Sequence, residues 1–156
     1  MRQIGAIRCF VLMSALWFCC SLYALERVVH YPSVDQYGDS LLLSGKVTIP
    51  ENDSIRGVIL LLHYTISSDA EAPSNTTLSE AKVFQDDYVL IMPDYIGYGV
   101  TADKVHPYLV MELTARNVLD MYYAVVPFME KAGCAPEHED IYLMGYSQGG
   151  ATTMAV

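Results

Sequence analysis

Cysteine is scarce where it could matter. Of the four in this 156-residue chain, Cys9, Cys19 and Cys20 crowd into the first twenty positions and only Cys134 lies beyond them. With the N-terminal segment set aside, no disulfide can close within the chain, even in an oxidising compartment, and no cysteine-built metal site is available. Positive charge is short as well, with 9 Lys and Arg against 18 Asp and Glu and a net charge of −9. Residues 1–24 hold Arg2 and Arg8 but no acid, so the remainder carries 7 basic against 18 acidic side chains, a net of −11. Nucleic acid is thereby excluded as a partner, because binding phosphates needs concentrated positive charge. Trp (1) and Phe (4) are few beside Tyr (12). Tyrosine serves cores, sheet faces and clefts alike, so the imbalance assigns no function. There are no internal repeats and no low-complexity linkers.

Long apolar runs are limited to one, Cys9 to Cys20, which follows a basic start at Arg2 and Arg8. It falls short of the roughly 20 residues that a membrane-spanning helix needs. The pattern reads as a signal peptide over residues 1–24, cleaved after the small Ala24, and implies an exported protein: secreted, periplasmic or membrane-anchored. Leu22 is larger than a cleavage site prefers. A lipidated Cys19 or Cys20, or a retained N-terminal anchor, are the alternatives, and each keeps the export conclusion. Asn52-Asp-Ser54 and Asn75-Thr-Thr77 match the glycosylation sequon.

What remains, residues 25–156, is 132 positions of a chain that is 53% apolar overall, enough for one domain with a sizeable core. Arg27 to Val34 and Ser40 to Ile49 read as strands joined by the turn Asp35–Asp39. Gly57 to His63, with the run Val58-Ile-Leu-Leu-Leu62, has the continuous apolar character of a strand buried on both faces. A polar loop over Ser67–Thr77 precedes an expected helix at Leu78–Gln85. Tyr88 to Met92 is a further strand stopped by Pro93. A helix is expected over 107–131, where Leu109, Leu113, Asn117, Met121 and Val125 recur every four residues. Gly133 would stop it, and Pro127 should kink or end it. Asp140 to Gly145 completes the strands, and a helix starts at Gln148. Strands alternating with helices predict an α/β layered domain with a mostly parallel sheet.

The sequence Gly145-Tyr146-Ser147-Gln148-Gly149 has the form G-x-S-x-G. By chance such a pattern occurs in about one chain in twenty of this length. Its setting raises its weight, because an apolar strand precedes it directly and a helix-forming segment follows. A nucleophilic serine must be lifted above the sheet on a strained turn, and Gly145 and Gly149 leave room for that turn. The positive end of the following helix, and the amide of Gln148, would then face a developing oxyanion.

On this elbow the sequence resembles the α/β-hydrolase superfamily, and its secreted lipase and esterase branch in particular. The resemblance spans Arg27 to Val156. It is supported by Met92-Pro-Asp94-Tyr-Ile-Gly97-Tyr-Gly99, similar to the D-Y-x-G-x-G loop of those enzymes and of prolyl-peptidase-like relatives, and by His106-Pro-Tyr-Leu109. The resemblance implies an α/β-hydrolase-type sheet with helices on both faces, of which this chain carries the N-terminal part. It also implies hydrolysis of carboxylic esters through an acyl-enzyme on Ser147, with no cofactor and no metal. The oxyanion would be held by the amides of Gln148 and of Tyr64, in the segment His63-Tyr64-Thr65. Many relatives carry His-Gly there, so the choice between the Tyr64 and Thr65 amides stays open.

In this fold the chain order is nucleophile, acid, histidine. The triad acid and base are therefore expected beyond Val156, and the chain alone is expected to be inactive and poorly soluble. Asp94 is read as a turn cap that satisfies local amides in preference to a residue shaping the site. His63 is read as a packing or orienting residue, and His30, His106 and His138 as structural or exposed. A serine peptidase or acyltransferase on the same fold, or a non-catalytic product, are the alternative functions. The expected partner is a small ester or acyl substrate, with membrane anchoring through the N-terminus left open.

Overall fold

A computed structural model describes residues 25–51, 55–131 and 140–156. The expected signal segment, the sequon at Asn52, and Gly133, Cys134 and His138 lie outside the described residues. The described residues begin with a hairpin of β1 (Leu25–Val34) and β2 (Ser40–Ile49), paired from Leu25 opposite Ile49 to Val34 opposite Ser40. Asp35 shapes its turn, its carboxylate accepting the amides of Tyr37 (2.8 Å) and Asp39 (3.0 Å).

Among the described residues three further strands follow: β3 (Val58–Leu62), β4 (Val89–Pro93) and β5 (Ile141–Gly145). The sheet order is β1-β2-β4-β3-β5. It is mixed, with β4, β3 and β5 parallel to one another and β2 antiparallel to β4. The parallel arrangement expected from the strand and helix alternation is thus confined to the half built by crossovers. The N-terminal hairpin, joined by a tight turn, supplies the antiparallel half.

The central strands are buried on both faces, and their alternation divides two cores. Val58, Leu60 and Leu62 pack with Val89 and Ile91 on one side, while Ile59 and Leu61 pack with Leu90 and Met92 on the other. Each such side chain contributes about 1.5–3 kcal/mol by leaving water. The first face is covered by α2 (Met111–Lys131) through Val118, Met121, Val125 and Met129. The second holds the short α1 (Ala81–Phe84) with Leu78 and Ala81. A last helix, α3 (Gln148–Ala155), packs beside α2 and β5.

The expected helices over 107–131 and Leu78–Gln85 are each shorter than their sequence suggests. The long helix begins at Met111 rather than at 107, because Pro107–Val110 form a turn. Val110 N donates to Pro107 O (3.2 Å), and Leu109 sits at φ 60, a left-handed value that no helix residue adopts. Leu109 is accordingly exposed, whereas Asn117, Met121 and Val125 form the buried stripe. At its other end the helix runs through Pro127 to Lys131, the expected bound, with Met129 buried in its last turn. The helix expected at Leu78–Gln85 is a single turn, with Leu78 buried ahead of it.

Candidate active site

Parallel strands of an α/β sheet end together, and chemistry collects beyond their carboxyl ends. Here β5 ends at Gly145, Tyr146 projects into solvent, and α3 starts at Gln148. Between them Ser147 adopts φ 53 and ψ −116, a conformation outside every region that L-residues favour. Holding it costs about 1–3 kcal/mol. The neighbouring glycines make the turn feasible. A Cβ on Gly145 would collide with the Gly149 backbone, and one on Gly149 would collide with the carbonyl of Leu62 and lie 2.8 Å from that of His63. Ser147 is exposed and its hydroxyl does not cap α3. It stands free at the positive end of that helix.

The close approach of Gly149 to Leu62 and His63 also brings the segment after β3 against the elbow. Tyr64 is part-exposed there, and Gln148 is buried at the first position of α3. Beside them an apolar cleft of about 190 Å³ is walled by Leu61, Leu78 and Met144, with Tyr64, Tyr146 and Glu80 at its sides.

His63 is buried beneath this surface. Its Nε2 lies 3.0 Å from the carbonyl of Asp94 and its Nδ1 2.6 Å from that of Tyr64, and its ring packs 4.1 Å from that of Tyr95. Burial lowers its pKa, and the pull of the two carbonyls toward the charged form is the weaker effect. The neutral ring carries one N–H and so donates to one of the two carbonyls, and from this buried place His63 orients the loop. His30 is exposed on β1, at the opposite end of the strand order from β5.

Asp94 is fully buried and its partners are distant in sequence. One oxygen accepts the Ser44 hydroxyl (2.6 Å), the other the Ser74 amide (2.8 Å). Ser44 Oγ in turn accepts the Val100 amide at 2.9 Å. Asp94 thus satisfies amides, as a cap would, but it ties β2 and residue 74 to the loop over 94–110. Tyr95, at φ 66, turns its ring inward, and burial raises the pKa of its phenol. The hydroxyl of Tyr98 donates to Ile66 O (3.0 Å), and that of Tyr108 meets Thr65 Oγ1 at 3.0 Å.

One contact was not foreseen. His106 Nδ1 faces the carbonyl of Ile96 at 2.7 Å, which makes it the protonated nitrogen of the neutral ring. Its Nε2 then accepts from the side-chain amide of Gln148 at 2.8 Å. His106-Pro107 was visible as a motif, but a contact across 42 residues leaves no trace in local pattern.

Among the described residues, no group of three or more His, Cys, Asp or Glu could hold a metal ion, and no helix is long and apolar enough to cross a membrane.

No family model matches the chain, and no curated protein matches its sequence. Solved structures do match. A hydrolase candidate from Legionella pneumophila aligns at TM-score 0.74 and 26% identity over 86% of this chain and 39% of its own. The rice cell wall degrading esterase LipA from Xanthomonas oryzae aligns at TM-score 0.69 and 25% identity over 86% of this chain and 37% of its own. Candida antarctica lipase A, at TM-score 0.56 and 17% identity over 85% of this chain and 33% of its own, shares the fold. The chain therefore spans less than two fifths of the length of these proteins, and over that extent it has part of the α/β-hydrolase fold that they share.

Proposed function

We propose that the protein carrying this chain is an exported serine esterase in which Ser147 is the acylated nucleophile. The observation that carries the reading is the strained Ser147 backbone between two glycines that admit no Cβ, with the hydroxyl exposed at the start of α3. Ser147 Oγ attacks the acyl carbonyl carbon, its proton passing to a histidine that lies beyond Val156, paired with an acid also beyond it. The carbonyl oxygen becomes an oxyanion and accepts the amides of Gln148 and of Tyr64 or Thr65. Collapse expels the alcohol, which takes the proton from the histidine and leaves an ester on Ser147. Water, deprotonated by the same histidine, then releases the carboxylic acid. The cleft beside Tyr64 and Tyr146 is apolar, which suits the hydrocarbon part of an acyl ester. LipA, at 25% identity, is an esterase acting on rice cell wall, which supports an ester substrate.

The test is labelling of the full-length protein with a fluorophosphonate probe. Ser147→Ala should abolish labelling, and equal labelling of both proteins would overturn the assignment. Turnover of short acyl esters without cleavage of dipeptide anilides separates the esterase from a peptidase. N-terminal sequencing of exported protein should find Leu25 first if residues 1–24 are a cleaved signal.

A further inference from the structure

The proposed oxyanion donors sit on separate pieces of chain, Gln148 opening α3 and Tyr64 following β3, yet a third segment holds both. The loop over 94–110 reaches the Tyr64 side through Tyr98, which donates to Ile66 O at 3.0 Å, and through the Tyr108 contact with Thr65. It reaches the Gln148 side through His106, by the 2.8 Å bond between Nε2 and the Gln148 side-chain amide.

The imidazole is itself firmly set. Ile96 O holds Nδ1 at 2.7 Å, the Tyr98 ring lies 5.1 Å away, and the Tyr95 ring is stacked at 9°. Gly97, at φ 94, brings its backbone so close that a Cβ there would lie 2.8 Å from the Cα and Cβ of His106. Gln148 is 2% exposed, so its side chain cannot trade His106 for water. Its backbone carbonyl accepts the Thr152 hydroxyl at 3.0 Å within the first turn of α3.

Resting on the reading of Ser147 as the nucleophile, we propose that His106 is a positioning residue: it holds the Gln148 side chain so that the backbone amide of Gln148 points at the oxyanion. A donor aimed beforehand costs no reorganisation as charge develops, and misplacement of about 1 Å costs about a hundredfold in rate. The effect belongs to the transition state, so it falls on kcat and leaves KM nearly unchanged.

The experiment uses the full-length protein and p-nitrophenyl acetate. His106→Asn keeps a donor near the Nδ1 position for Ile96 and loses the acceptor for Gln148. His106→Gln places a carbonyl oxygen near the Nε2 position and keeps that acceptor. Gln148→Met removes the same bond from the other side. His106→Asn and Gln148→Met should each lower kcat about tenfold to a hundredfold with KM little changed, and the double variant should lose no more than either alone. His106→Gln should recover most of the loss. A folded His106→Asn with wild-type kcat overturns the proposal, and so does a His106→Gln no faster than His106→Asn. Should His106→Asn fail to fold, wild-type kcat in Gln148→Met overturns it instead. Ser147→Ala separates the two levels: undiminished turnover there defeats the nucleophile itself, whereas its loss beside wild-type rates in the His106 variants defeats only the role of His106.

Discussion

Ser147 pays in backbone strain for the exposure of its hydroxyl, and that strain can be read out. Glycine accepts φ 53 with ψ −116 far more readily than serine or alanine. Ser147→Gly should therefore be about 1 kcal/mol more stable than Ser147→Ala by urea unfolding, although both abolish labelling. Equal stabilities would mean that the turn is relaxed in solution. His63 yields a pH-dependent prediction. Its folded pKa is lowered by burial, so the folded state prefers the neutral ring. Its stabilising contribution is complete above the unfolded value near 6.5 and is lost as pH falls below it toward the lower folded value. His63→Gln should flatten the fall in unfolding free energy between pH 8 and pH 5, and an unchanged slope would contradict the assignment.

The segments that build the site differ in how they are held. β3 and β4 are secured by apolar burial on both faces, which their composition announces. The 94–110 loop has little such burial beyond Tyr95 and Ile96 and depends on Asp94, Ser44 and the tyrosine hydroxyls. Asp94→Asn places an amide nitrogen opposite either the Ser44 hydroxyl or the Ser74 amide, leaving a buried donor unpaired. It should cost about 1–3 kcal/mol in urea unfolding of the full-length protein. A smaller change would show that the carboxylate can be replaced by rearrangement. The same contrast explains which elements were legible. The four-residue spacing from Leu113 to Val125 marked the buried stripe of α2. The turn at Pro107–Val110 was missed because Leu109 continues that spacing while its backbone leaves the helix.

Taken whole, the described chain leaves one flank of its sheet uncovered. β5 pairs with β3 on one side only among the described residues, and Tyr142 and Leu143 are 48% and 40% exposed. Unpaired apolar edges template association. The 156-residue chain expressed alone should form multimers visible by light scattering, and Leu143→Lys should reduce them. A chain that stays monomeric without the substitution would refute this.

Some of the protein follows from amino-acid order alone. Apolar runs bounded by turn residues specify β3, β4 and β5, and two glycines flanking Ser147 specify the elbow, because these depend on neighbours within a few positions. Tertiary structure decided the rest: that β2 lies against β4, that Asp94 reaches Ser44 and Ser74, and that His106 meets Gln148. Each joins residues from 20 to 50 positions apart, through polar contacts and sheet order that hydrophobic periodicity does not encode. The Ser147 elbow was therefore visible from the outset, whereas the framework of contacts around it emerged only when the sheet brought its loops to one end.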